Sequence, residues 1–183
     1  MFCYNDHMNI SIIAAIGKNN ELGKKNDLLW NLPIDMKHFR DTTRGHTVIM
    51  GQKTFESLAT DENGKQVGKL LPNRRNIIIT QNKDFRTEGA EMVYSIEETI
   101  DLLEKTTEKN EEVFVIGGGM IYKLFIDKAE KLYITHVNEN FPDAEVFFPL
   151  IDETKWEKTR SEKYPKDGQN KYNLEFCEYT KKI

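Results

Sequence analysis

Val113-Phe-Val-Ile-Gly-Gly-Gly-Met-Ile-Tyr122 runs from apolar, β-branched residues into three glycines and then into residues that suit a helix. An apolar run without polar interruptions reads as a strand covered on both faces, the habit of parallel sheets. Glycines let backbone approach a ligand closely, and a helix N-terminus adds partial positive charge. Together these suit a pyrophosphate. The same residues also suit a plain strand-to-helix turn. Their spacing is not the GxGxxG pattern near the first strand of dinucleotide folds. On this stretch alone both readings stand.

Similar runs recur outward from it: Asn9–Ile16 (NISIIAAI), 47–50 (TVIM), 76–80 (NIIIT) and Lys131–Val137 (KLYITHV). Two late segments, Trp156–Tyr164 and 172–180, are taken as alternating apolar and polar. With Asp167-Gly168 between them they predict an antiparallel hairpin. Helical signals fall between the strands. Pro33 opens a helix to Thr43, residues 53–58 form a short one, Ser95-Ile-Glu-Glu98 is a capping box opening a helix to Lys105, and residues 120–126 form another. The order predicts an α/β fold: a mixed, mostly parallel central sheet of about eight strands, with an antiparallel C-terminal hairpin and helices on both faces. Residues 1–183 read as one domain. Residues 1–7 are an N-terminal extension, and 61–69 (DENGKQVGK) are a polar surface insertion, a loop or small hairpin turning at Asn63-Gly64.

Composition narrows the function classes. With 26 basic and 30 acidic residues the chain lacks the basic field that nonspecific nucleic-acid binding needs. The first apolar run, 10–16, is too short to span a membrane, and the residues before it lack the basic start of a signal peptide. Cys3 and Cys177 are far apart, with no CxxC or Cys/His cluster, so two reduced thiols and no metal site are expected. The expectation is a cytoplasmic, monomeric enzyme or binding protein without nucleic-acid or membrane partners.

Val48-Ile-Met-Gly-Gln-Lys-Thr-Phe55 repeats the design of a strand ending on glycine before a helix. Gly51, Lys53 and Thr54 echo the end of a P-loop, but the upstream glycine is missing. Trp30-Asn-Leu-Pro-Ile-Asp-Met-Lys-His-Phe39 places Asp35 in a first helical turn, where the macrodipole favours a carboxylate. Phe39, four residues on, shares its face, and Met36 and Trp30 add apolar bulk. A carboxylate against such a wall could pair with two parallel N–H groups of a ring ligand. Helix-end charge alone is the other reading. The four histidines share no ligand or triad spacing. Arg74-Arg75 could bind an anion or simply face water.

Taken together, the Ile-Ala-Ala strand, Leu22-Gly23, Trp30-Asn31-Leu32-Pro33, Val48–Gly51, Leu71-Pro72-x-Arg74, Ile116–Gly119 and Tyr133-Ile-Thr-His136 resemble dihydrofolate reductase from Met8 to Lys181, in order and spacing. The resemblance implies NADPH-dependent reduction of 7,8-dihydrofolate to tetrahydrofolate, with hydride transfer to C6 and protonation of N5. It implies Asp35, Thr135 and Trp30 as catalytic residues, with Asp35 holding the pterin 2-amino group and N3. The folate site would comprise Ile13, Ala14, Met36, Phe39, Arg40, Leu58, Leu71, Arg74 and Ile116, with Arg74 on the glutamate carboxylate. NADPH would lie against Ala15, Leu22, Gly23, Gly51, Gln52, Lys53, Thr54, Thr80 and Gln81, and against Gly117, Gly118, Gly119, Met120, Ile121 and Tyr122. The stretch 17–29 resembles the mobile loop that closes over the nicotinamide. Gln52 stands where many relatives carry Arg, which leaves charge against the 2′-phosphate to Lys53. Ala144-Glu145 replaces a common Gly-Asp. Another pteridine or pyrimidine reductase, or a catalytically silent folate- or nucleotide-binding module, is the alternative. The Asp35 context and Arg74 weigh against the first, and intact Asp35 with both glycine turns weighs against the second.

Overall fold

The computed structural model describes residues 9–182. Cys3, His7 and the extension 1–7 lie outside them. The elements in order are β1 Asn9–Ile16, β2 Glu21–Lys24, β3 Asp27–Leu28, α1 Pro33–Thr43, β4 Thr47–Gly51, α2 Gln52–Ser57, β5 Arg75–Ile79 and β6 Ala90–Val93. Then come α3 Ile96–Thr106, β7 Glu112–Gly117, α4 Gly119–Phe125, β8 Lys131–Val137, β9 Val146–Phe147, β10 Trp156–Tyr164 and β11 Leu174–Lys181.

Eight strands form one sheet in the order β10-β11-β8-β1-β7-β4-β5-β6, parallel from β8 to β6, with β11 and β10 antiparallel at the end. The expected architecture is therefore present. Period-two alternation splits each central strand between two cores. Ile10, Ile12, Ala14 and Ile16 of β1 join Val113 and Val115 of β7 and Leu103 of α3 on one face. Ile13, Met50, Ile78, Phe114 and Ile116 join Phe55 of α2 and Phe39 of α1 on the other. Each buried Ile or Phe contributes about 1.5–3 kcal/mol through lost water contact. That is why these strands read as continuous apolar runs.

Other expectations need adjustment. β10 is an edge strand exposed along most of its length, not an alternating half-buried one; Trp156 is its buried residue. Its charges pair across to β11, Lys158 with Glu175 at 3.5 Å and Arg160 with Glu178 at 3.2 Å, and a charged edge discourages further pairing. β6 is too short to have been seen as an apolar run. Much of the stretch expected to be a loop, 17–29, is the β2–β3 hairpin. With β9 it forms a second sheet in the order β3-β2-β9. The capping box at Ser95 forms, with a variation: Ser95 accepts from the Glu98 N–H at 3.0 Å, while the Glu98 carboxylate accepts from the N–H of Tyr94 at 2.7 Å. The 61–69 insertion is a small hairpin, with an antiparallel bridge between Thr60 and Gln66. The Asp61 carboxylate accepts from the N–H groups of Asn63 and Lys65, each at 2.9 Å. Cys177 is a buried free thiol.

Candidate active site

β1 leads to α1 and β4 on one side of itself, and the chain later returns to place β7 and then β8 against its two edges. At such a reversal of strand order a crevice opens beyond the carboxyl ends of the strands, where α/β sheets bind ligands. Both glycine turns, Asp35 and Thr135 converge there.

Pro33 at the first helical position presets α1, and Asp35 follows in the same turn, buried. The helix has no side-chain cap of its own at Leu32. Instead Asn170, in the loop between β10 and β11, accepts from the N–H of Ile34 at 3.1 Å. Asn170 is itself buried, and its amide donates to both oxygens of Asp167 at 3.0 Å. Hydrogen bonds from the Asn170 and Gln169 backbone and from the Asn170 amide hold Asp167 below the usual carboxylate range, so it stays an acceptor. A residue 136 positions away thus caps the helix that carries Asp35. Asn170→Ala should cost about 1–2 kcal/mol, as losing an N-cap does. A thermal melt should drop by several degrees; an unchanged melt would show that the contact carries no helix stability.

Desolvation by burial pushes Asp35 up to about 6, and a hydrogen bond from Thr135 of β8 works the other way by favouring the charged form. Thr135 sits opposite Ala15 of β1 in the parallel ladder. Tyr122, from α4, donates to the Ile13 carbonyl at 2.8 Å. Burial, and then the nearby Asp35 charge, raise its phenol far above normal. Tyr122 therefore stays a neutral donor beside the carboxylate. Trp30 packs with Ala15 and against Phe141, ring centroids 4.8 Å apart, and its buried indole N–H has no partner among the described residues.

Ile13 and Ile116 form an apolar cluster on this face of the sheet with Phe39, Leu58 and Leu71, which are packed against it and partly buried. Met36 is exposed at 38%, at hand for an apolar ligand. Ala14 departs from its expected place, because strand alternation turns its side chain into the opposite core. It reaches the crevice only through backbone.

At the outer end, Arg74 is built in. Nε donates to Thr43 Oγ1 at 2.9 Å, one terminal nitrogen to the Pro72 carbonyl at 2.7 Å, and the other to the Arg40 carbonyl at 2.9 Å. A guanidinium has five N–H groups, so one remains on each terminal nitrogen, a fork ready for a carboxylate. Arg74 also lies 6.0 Å over the Phe39 ring. Burial and the charges of Arg44 and Arg40 all depress its pKa, so the three guanidiniums share one positive patch. Arg40 contributes a carbonyl here while its side chain is exposed. Buried Asn76 shapes the 71–74 segment by bonding both polar groups of Leu71 and the carbonyl of Arg74.

On the other side of the crevice the two glycine turns are neighbours, Met50 of β4 pairing with Gly117 of β7. Gly117 has φ 138°, and the Gly117–Gly118 peptide is cis. A Cβ at Gly118 would lie 3.1 Å from Thr54 Oγ1, and one at Gly119 would lie 2.6 Å from Val146 Cγ1. A Cβ at Gly51 would meet Ile121 at 3.1 Å. At these turns the backbone is packed too closely against Thr54, Val146 and Ile121 for a side chain, and Gly51, Gly118 and Gly119 stay partly accessible, as close approach of a diphosphate to backbone N–H groups requires. Leu22 packs in the core that also holds Ile121 and Tyr122. Gly23 pairs with Leu28 and Val146. Met120 is exposed at 67%, and Lys53 and Gln81 are exposed, whereas Thr80 is buried.

Gln52 also departs from expectation. Its amide nitrogen donates to Glu56 at 2.7 Å, and its oxygen accepts from Thr80 at 2.5 Å. The i,i+4 spacing to Glu56 was the signal for this engagement. Glu145, at the position expected to differ from relatives, keeps the adjacent hairpin tied. Its N–H donates to the Gly23 carbonyl at 3.0 Å, and its carboxylate accepts from the Lys25 N–H at 3.2 Å. Asn170, Thr43, Asn76 and Glu145 were missed as site residues. Each is a common polar type in a loop or at a helix or strand end, and its partner is set by the tertiary fold.

The profile described as dihydrofolate reductase matches residues 9–181. The chain is 39% identical over 173 residues to dihydrofolate reductase of Bacillus subtilis strain 168, covering 94% of this chain and 95% of that one. It is 36% identical over 172 residues to the Staphylococcus haemolyticus dihydrofolate reductase, covering 94% and 95%. Among solved structures, dihydrofolate reductase from Enterococcus faecalis complexed with NADP(H) and RAB-propyl superposes with a TM-score of 0.82. It is 29% identical, covering 96% of this chain and 97% of that one.

Proposed function

We propose that this chain, which belongs to the dihydrofolate reductase family and reduces 7,8-dihydrofolate to tetrahydrofolate with NADPH, does so around Asp35 as its one pterin-orienting carboxylate. NADPH, when bound, supplies the hydride that reaches C6 of the pterin. The observation that carries this reading is a buried carboxylate, raised to about 6 and held by Thr135, one helical turn from Phe39, which packs on the apolar cluster of Ile13 and Ile116.

Asp35 accepts the pterin 2-amino group and N3–H as a bidentate pair, which fixes the ring and favours its protonated form. Thr135 holds that carboxylate, and the Trp30 indole offers a donor at the same end. Ile13, Ile116, Phe39, Leu58, Leu71 and Met36 enclose the rings, and Ala14 contributes backbone only. Arg74 takes the glutamate carboxylate with its two remaining N–H groups, within the field of Arg40. The cofactor lies along Gly117–Gly119 and the Gly51–Thr54 turn, with Ala15, Leu22, Gly23, Ile121 and Tyr122 around its nicotinamide end and Thr80 and Gln81 near its adenosine end. Residues 9–182 act as one domain, in the cytoplasm, as a monomer. No helix among the described residues is long and apolar enough to cross a membrane. Following NADPH absorbance with dihydrofolate as acceptor tests the reaction. Oxidation only with a ribosylated pyrimidine acceptor would move the chain to another reductase.

With Gln52 engaged by Glu56 and Thr80, the 2′-phosphate falls to Lys53, which is exposed at the same turn. Lys53→Ala should narrow the NADPH-to-NADH ratio of kcat/KM about tenfold, the scale of one solvated charge contact. Added salt should weaken NADPH more than NADH, since exposed phosphate contacts are screened. An unchanged ratio at fixed ionic strength would place 2′-phosphate recognition elsewhere, at Thr80 through Asn82.

A further inference from the structure

The insertion hairpin, unaccounted for by the reaction, grips the segment that lies over the glycine cradle. Lys24 and Asp27 close a two-residue turn in which Lys25 and Asn26 both have positive φ, 51° and 61°. Asparagine tolerates this conformation, and the type I′ turn demands it. Asn26 then commits both hydrogens of its amide. One goes to the Lys53 carbonyl of α2 at 2.9 Å and the other to Gln66 Oε1 of the insertion at 2.7 Å. Gln66 returns a bond from Nε2 to the Asn26 carbonyl at 2.8 Å. The far side of the hairpin is already held through Glu145 and through the Lys24–Asp143 ion pair at 3.3 Å. Leu22 and Val146 of this small sheet lie over Gly119, 3.8 and 2.6 Å from where a Cβ there would be.

We infer that Gln66 is a positioning residue which, through Asn26, clasps the 17–29 segment to α2 and so sets how fast NADPH leaves. This rests on the proposal that the Gly117–Gly119 turn and α2 hold NADPH. The insertion gives the segment a second anchor, on the side opposite β9. Opening it for release breaks the Asn26–Gln66 pair and the Asn26–Lys53 bond together.

The test is the NADPH dissociation rate, by stopped-flow competition, in the full-length protein and in Gln66→Ala, Asn26→Gly and the double variant. Glycine keeps the positive-φ turn while removing the amide. Each single change should raise the dissociation rate about tenfold, or ~1.4 kcal/mol. The double should add little, because both remove one clasp. Dihydrofolate affinity without NADPH and the melting temperature should hold steady, which separates the clasp from a general loss of structure. Unchanged dissociation in both singles, or effects that multiply in the double, would overturn the inference. Failure of the unsubstituted protein to bind NADPH would instead remove the cofactor assignment, and the clasp's role with it.

Discussion

Asp35→Asn should lower dihydrofolate turnover by about 10²-fold or more, the scale of a positioned acid–base group, while NADPH binding persists. Asparagine keeps the shape and one acceptor, but it cannot accept two N–H groups as an anion or stabilise a protonated pterin. The fold should tolerate the change, for a reason visible in the ionisation of the site. Burial raises Asp35 to about 6, above the ~3.9 of an unfolded chain. Between those values the folded state binds the extra proton, so stability falls as pH rises through that window. The full difference is about 2 pH units, or ~3 kcal/mol lost by the parent above pH 6. The Asn variant carries no such loss. Its melting temperature should overtake the parent's as pH goes from 4 to 7, even as its activity collapses. A variant that lost activity and also melted earlier at pH 8 would point to structural damage instead.

Arg74→Leu should weaken folate binding by about 10–150-fold, the worth of a charge-assisted bidentate contact at ~1.5–3 kcal/mol. NADPH affinity should stay the same, because the cradle lies on the other side of the crevice. The fork is oriented by Thr43, Pro72 and Arg40, so little ordering remains to be done on binding. Arg74→Lys keeps a charge without the planar fork and should recover only part of the loss. A pterin substrate lacking the glutamate gives the internal control, since its KM should be insensitive to Arg74→Leu. If that KM rose as much as the dihydrofolate KM, the change would be acting through the 71–74 segment and not through a carboxylate.

The central strands were legible because two cores demand apolar residues at every position, a pattern that needs no partner to be read. Asp35 was legible for the opposite reason, as a carboxylate set beside proline and aromatic residues at a helix start. β2, β3 and β9 were not. Segments of two to four residues such as Glu21–Lys24 or Val146–Phe147 owe their strand state to pairing across more than a hundred positions. The amides behaved alike. Asn26, Gln66 and Asn170 are ordinary turn residues until the fold supplies Lys53, Asn26 and Ile34 as partners. Ala14 shows that a resemblance carried over residue by residue still has to obey the pleat: Ile13 faces the crevice, so its neighbour's side chain faces away.

The pH dependence of kcat/KM for dihydrofolate at saturating NADPH, in the parent and in Asp35→Asn, tests most directly that one buried carboxylate governs the reaction. In the parent, kcat/KM should be level at low pH, where Asp35 of the free enzyme carries the proton that the ring takes on binding and is left as the carboxylate, and should fall about tenfold per unit above a midpoint near 6, the value that burial gives Asp35. In the variant that midpoint should vanish from a much lower profile. The same midpoint in both proteins would contradict the account, because the titrating group would then be something other than Asp35.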